Sequence, residues 1–237
     1  MRTVMGLALL LQACVIVRQK AVDDVRFSED FDRVLVDLEG AGDLSVRLGE
    51  GEASLTRTWS WTGDEPQVHA FVEAGVLHLE VDCRDTQLSC RVDHELTVPA
   101  PVSLSAVMGA GDVDASDLVG DIRVDTGAGD IDLTGIDGDL DLSTGSGDVT
   151  VRDAGCAIVT SSTGAGDMDL ELHTVADHVL LDSGAGDVRL VVPHGSYRVE
   201  TDTGAGDLHI DGITVDQGAD ATIDITTGAG DIHLIGR

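Results

Sequence analysis

The sequence predicts an all-β fold, a single-stranded β-solenoid built from stacked coils of about 18–20 residues and wound right-handed. Two observations carry that prediction. Gly-Ala-Gly-Asp occurs seven times, at Gly40, Gly109, Gly127, Gly164, Gly184, Gly204 and Gly228, and once more as Gly-Ser-Gly-Asp at Gly145. Each copy opens a short run in which apolar residues alternate with polar ones, the pattern of a half-buried strand. A third observation concerns the core: the chain has only six Phe, Trp and Tyr residues against a plentiful supply of Val, Ile, Leu and Ala. Such a set fills a narrow solenoid rather than a broad globular interior.

The first element is a targeting segment, residues 1–13. Arg2 supplies a short positive region, Val4 to Leu11 is apolar, and Leu11-Gln12-Ala13-Cys14 closes it. The apolar run is much shorter than the roughly 20 residues of a membrane-spanning helix and has the length of a secretory signal. Its end resembles a bacterial lipobox, which implies lipidation of Cys14 and a membrane partner reached through the lipid. Residues 14–24 are then expected to be a tether.

Residues 25–101 read as degenerate first coils and an N-terminal cap. Val34, Val36 and Leu38 alternate before Gly40, and Leu44, Val46 and Leu48 resume after Asp43. Strand-like runs follow at Leu55–Trp61, Val68–Val72, Val76–Val81 and His94–Val98. Asp43 and Asp112 lie 69 residues apart, space for about three coils. Trp59 and Trp61 share a strand face and are placed to cover the end of the core. Cys83 and Cys90 flank a loop long enough to close as a hairpin disulfide, which an oxidising compartment would permit. Cys156 has no evident partner and reads as a small apolar residue.

From 102 to 237 the repeat is strict. The motif aspartates fall at Asp112, Asp130, Asp148, Asp167, Asp187, Asp207 and Asp231, in steps of 18, 18, 19, 20, 20 and 24 residues. Ile122 and Val124 share a face before one corner, and Ile131 and Leu133 share one after it. Neither strand buries its face alone, so stacking is obligatory. At the corners the glycine pairs Gly127 and Gly129, Gly164 and Gly166, Gly184 and Gly186, and Gly204 and Gly206 allow positive φ or close backbone approach. A Thr or Ser precedes each pair, and strand parity points Thr126 inward. A phosphate-cradling loop is usually single and opens a helix, so the glycines read as structural.

The aspartate column admits a sharper hypothesis. Carboxylates stacked about 4.8 Å apart repel by roughly 0.9 kcal/mol per pair even at a waterlike dielectric. Hydrogen bonds from corner N–H groups would relieve this, and so would calcium held between rungs, which makes Asp112, Asp130, Asp148, Asp167, Asp187, Asp207 and Asp231 candidate ligands of a calcium ladder. The nonapeptide pattern of calcium β-rolls is missing. Otherwise no cofactor is expected. His209 and His233 share a column two places after their aspartates, and a two-histidine metal site is the lesser alternative there. The sequence has no nucleophile elbow, P-loop, HExxH or CxxC, and a polysaccharide-active enzyme is the remaining catalytic alternative. A formal charge of -30 repels nucleic acid and acidic head groups.

The lipobox-like start, the degenerate β segment ending at Val98-Pro99-Ala100, and the serial Thr-Gly-Ala-Gly-Asp units together resemble a bacterial β-strand-repeat family of unknown function, related to the candidate auto-transporter adhesin head domain of the GIN type. The resemblance spans roughly Val25 to Arg237. It implies a β-solenoid on an exported, envelope-anchored protein, outer-membrane or periplasm-facing, with an adhesin-like or structural role and an envelope or cell-surface partner. It transfers no catalytic residues.

Overall fold

The computed structural model describes residues 18–83 and 86–237 and is all-β. Cys14 and the signal segment lie outside the described residues. The strands of the N-terminal third are β1 (Gln19–Phe27), β2 (Arg33–Ala41), β3 (Leu44–Leu48), β4 (Ala53–Gly63), β5 (Gln67–Glu73), β6 (Val76–Asp82) and β7 (Thr86–Val98). The regular repeats supply β8 (Ser103–Ala110), β9 (Val113–Ser116), β10 (Ile122–Thr126), β11 (Ile131–Thr134), β12 (Leu140–Thr144), β13 (Val149–Ala154), β14 (Ile158–Thr163), β15 (Met168–Leu172), β16 (His178–Ser183) and β17 (Val188–Val192). The chain ends with β18 (Ser196–Thr203), β19 (Leu208–Asp211), β20 (Thr214–Val215), β21 (Thr222–Thr227) and β22 (Ile232–Gly236).

Each coil places one strand in each of two parallel columns. The strand before the Gly-Ala-Gly-Asp corner stacks in one column, as β8, β10, β12, β14 and β16 do. The strand after it stacks in the other, as β9, β11, β13, β15 and β17 do. Alternate side chains point between the columns, and the core is a file of Val, Ile, Leu and Ala with Leu118, Ile136 and Ala154 closing the third side.

Coil order in space departs from chain order at both ends. The coil β2–β3 sits between β8–β9 and the outermost coil β6–β7. At the other pole β21–β22 inserts between β16–β17 and β18–β19, so the last coil in sequence is the second to last in space. Inward composition accounts for the second inversion. Coil β21–β22 offers Ile223, Ile225, Ile232 and Leu234, all buried, whereas β18 carries Thr201 at the position of Ile225 and is better placed at a partly wet end.

Two expectations need correction. The gap from Asp43 to Asp112 holds one further coil rather than three, because β4 and β5 run antiparallel to β7 and β6 and cap the stack instead of joining it. The tether expected over residues 14–24 is strand from Gln19 onward. It is β1, antiparallel to β4, held by alternation at Ala21, Asp23 and Val25 and by the Asp23–Arg57 ion pair, Nε to Oδ1 2.9 Å. Trp61 is buried and Trp59 packs on the core, both on β4 at the capped pole. Cys83 and Cys90 are joined as a disulfide with Cα atoms 6.0 Å apart, and Cys156 is free and buried.

Candidate functional site: the corner ladder and the outer faces

The repeated corner is bonded between coils rather than within them. Oδ1 of Asp112 accepts the backbone N–H of Asp130 at 2.9 Å, and Asp130 accepts from Asp148 at 2.8 Å. Asp148, Asp167 and Asp187 accept in turn from Asp167, Asp187 and Asp231, each at 2.8 Å, and Asp231 accepts from Asp207 at 2.8 Å. Toward the capped pole Asp43 accepts from Asp112, and Asp93 from Asp43, both at 3.1 Å. Each carboxylate but that of Asp207 thus receives a donor from the next coil, a charge-assisted bond that offsets repulsion between rungs. The free donor of one corner and the charge of its neighbour satisfy each other.

A second stitch lies inside. Thr144 donates its hydroxyl to the Gly129 carbonyl at 3.0 Å, Thr163 to Gly147 at 3.0 Å, and Thr227 to Gly186 at 3.0 Å. Thr126 and Ser183 do the same to Gly111 and Gly166 at 3.3 Å, and Thr203 to Gly230 at 3.0 Å. The hydroxyl faces the coil beneath, and the side chain is buried in the core in every case but Thr203, which is half-buried.

The glycines are dictated by the same close approach. A Cβ on Gly127, Gly164, Gly184 or Gly204 would lie 2.4–2.5 Å from the carbonyl oxygen of the first motif glycine one coil below. On Gly129, Gly166, Gly186 or Gly206 it would lie 1.9–2.0 Å from that of the second. The clash always points toward the capped pole. The outermost coil therefore needs no glycine: Cys90, Arg91, Val92 and Asp93 occupy its corner, with Arg91 opposite Ala41 and its guanidinium paired with Asp43 and Asp93. Sequence reasoning missed Asp93 as a rung for that reason. Its one surviving signal is an aspartate followed by alternating His94, Leu96 and Val98.

Outward from the corner runs the column Asp114, Asp132, Thr150, Asp169, Arg189, His233 and His209. Burial, then Asp132, Asp112 and Asp43, raise the pKa of Asp114. Arg189 pairs with Asp169 at 2.6 Å, and the His209 and His233 rings lie 5.9 Å apart. Among the described residues no three His, Cys, Asp or Glu side chains converge as a metal site. Beside the other corner a trough of about 590 Å³ is lined by Arg33, Arg123, Asp121, Asp139, Asp141 and Ile158, among others. Asp121 accepts the Asp139 N–H at 3.1 Å, Asp139 accepts the Ile158 N–H at 2.9 Å, and Asp141 pairs with Arg123. These carboxylates are engaged with the solenoid, as a shorter second ladder.

Two buried groups are held neutral. His94 takes an inward position in the outermost coil, opposite Leu44 and Arg57. Burial first, then the Arg57 charge, push its pKa down to about 4. Cys156 is pushed up to about 12 by burial and by Asp139 and Asp137.

A parallel stack with its repeated motif consumed in coil-to-coil bonding defines a β-solenoid repeat protein. The chain belongs to the Toastrack DUF4097 family, which matches residues 39–235. A candidate adhesin from Bacteroides fragilis superposes with a TM-score of 0.57 at 15% identity, covering 91% of this chain and 97% of that one. A candidate cell-adhesion protein from Clostridium sporogenes gives 0.44 at 14% identity, over 93% and 100%. A candidate lipid-binding protein from Parabacteroides distasonis gives 0.47 at 13%, over 91% and 96%. No curated protein matches the sequence. The B. fragilis likeness establishes shared fold.

Proposed function

We propose that the chain is a non-catalytic structural or adhesin-like interaction module, exported and tethered to the bacterial envelope by a lipid on Cys14. The observation that carries this reading is the corner ladder: the most repeated chemistry in the sequence is spent on joining coils, which leaves the outer faces and the ends to meet partners. The Cys83–Cys90 disulfide supports an oxidising, exported setting. The adhesin-like part draws on the B. fragilis fold neighbour, and kinship with the GIN-type head domain is part of the same proposal. Calcium bridging of the rungs is the competing reading, less favoured because each bonded carboxylate already has an N–H donor. Glycan hydrolysis in the trough is less favoured because Asp121 and Asp139 already accept backbone N–H groups and Asp141 is paired with Arg123.

Fractionation and metabolic labelling with a fatty-acid analogue test the proposal. The full-length chain should carry label and sediment with envelope membranes, Cys14→Ser should lose both, and the labelled chain should bind intact cells or purified envelopes saturably. An unlabelled chain left in the soluble fraction would remove the tether, and absence of saturable binding would remove the interaction role.

A further inference from the structure

The pole formed by β18 and β19 is open. Val199, Thr201 and Ile210, at inward positions, are only half-buried and Leu208 is 47% exposed, while Ile223, Ile225, Ile232 and Leu234 one coil below are 0–1% exposed. The strand edges are open as well. Arg198 donates to the Ala221 carbonyl at 2.9 Å and Gly204 to Thr227 at 3.0 Å, so alternation along a parallel strand turns the N–H and C=O groups of Val199 and Thr201 away from the stack. Ile232 donates to Asp207 at 2.9 Å, which likewise turns Leu208 and Ile210 outward. Cover over β18 comes from β20, which pairs only with Ser196 and Tyr197. Asp207 is the terminal rung, and among the described residues no further N–H reaches its carboxylate.

The opposite pole shows how this fold closes such an end. There β5 pairs antiparallel with β6, and β4 with β7, so each column finishes on an antiparallel strand. Charge then selects what would serve at the open pole. Glu200, Asp202, Asp207 and Asp211 outnumber Arg198 on the outer coil, and a second copy placed end to end would set these carboxylates against themselves. About six residues of strand by the roughly 10 Å between packed sheets offers about 200 Å², far below the roughly 800 Å² per partner of a stable interface. An added strand gains main-chain hydrogen bonds as well as area.

We propose that this pole takes up an extended segment of a partner protein as an antiparallel strand, with Lys or Arg opposite Glu200 and Asp202 and β-branched apolar residues over Val199 and Leu208. The inference rests on the reading of the chain as an interaction module and gives that module its contact surface.

The test uses the full-length chain and a short fluorescent peptide alternating valine with lysine, followed by anisotropy. The peptide should bind saturably and weaken with salt, and a valine–glutamate peptide should bind at least about tenfold more weakly. Thr201→Pro removes an edge N–H that bonds nothing in the stack, so it should keep the wild-type melting temperature and lose at least about tenfold in affinity. Glu200→Lys with Asp202→Lys should reverse the peptide preference. Lack of saturation, equal binding by Thr201→Pro, or an unchanged preference in the double variant would overturn the proposal. Self-association abolished by Thr201→Pro would overturn it in favour of a second copy. If Thr201→Pro still binds envelopes like wild type, the pole is not the contact surface while the interaction role stands.

Discussion

Replacing Gly147 by Ala tests the stacking geometry in the middle of the regular coils. The added Cβ would meet the Gly129 carbonyl oxygen at 2.0 Å and its carbon at 2.5 Å, and the residue sits at φ 151°. Both of these atoms are backbone, so no flexible side-chain end can move aside. Holding a non-glycine residue at such a φ costs about 1–3 kcal/mol, and overpacking against a rigid neighbour adds about 1–3 kcal/mol. Relief by separating the coils would stretch the Asp130–Asp148 and Thr144–Gly129 bonds that flank the contact. We therefore expect a loss of about 4 kcal/mol, read as a lower denaturant midpoint in urea unfolding. Ser146→Ala, one residue away and matching the Ala of the other motif copies, should stay within about 0.5 kcal/mol of wild type. A Gly147→Ala protein within about 1 kcal/mol of wild type would refute the close-approach reasoning.

Thr144→Val holds volume but strips the Gly129 carbonyl of its donor, and should cost about 1–3 kcal/mol by the same unfolding assay, with Thr144→Ser recovering most of it. His94 is neutral in the folded state with its pKa lowered from 6.5 to about 4. Its contribution is therefore complete above pH 6.5 and is lost as pH falls toward 4, by roughly 3 kcal/mol. His94→Leu should flatten urea midpoints across that window. Moving from chelator to millimolar calcium should leave the melting temperature unchanged, and a rise that Asp167→Asn abolishes would restore the calcium ladder.

The repeat made the fold class legible because each Gly-Ala-Gly-Asp unit states its own corner and its own two half-buried strands. Coil order was not legible, for a physical reason: Asp187 accepts from Asp231 with the same geometry that Asp167 accepts from Asp187, so any unit can follow any other. What ranks them is the inward set, Thr201 against Ile225, and the chain's capping strands. The cap was legible but the outermost coil was not, because Val92 needs no glycine where no coil lies beneath it. At the candidate site the donors to the aspartates were foreseeable in kind, but their origin in the next coil required the stack. The open edge of β18 and β19 likewise exists only once β21–β22 has slipped between.

Residue-resolved amide exchange tests the coil-to-coil ladder most directly. The account predicts that the amides of Asp130, Asp148, Asp167, Asp187 and Asp231, donors to neighbouring carboxylates, exchange only with global unfolding. The outward-facing amides of Thr201 and Leu208 should exchange at nearly unprotected rates. Rung amides exchanging as fast as that of Leu208 would contradict it.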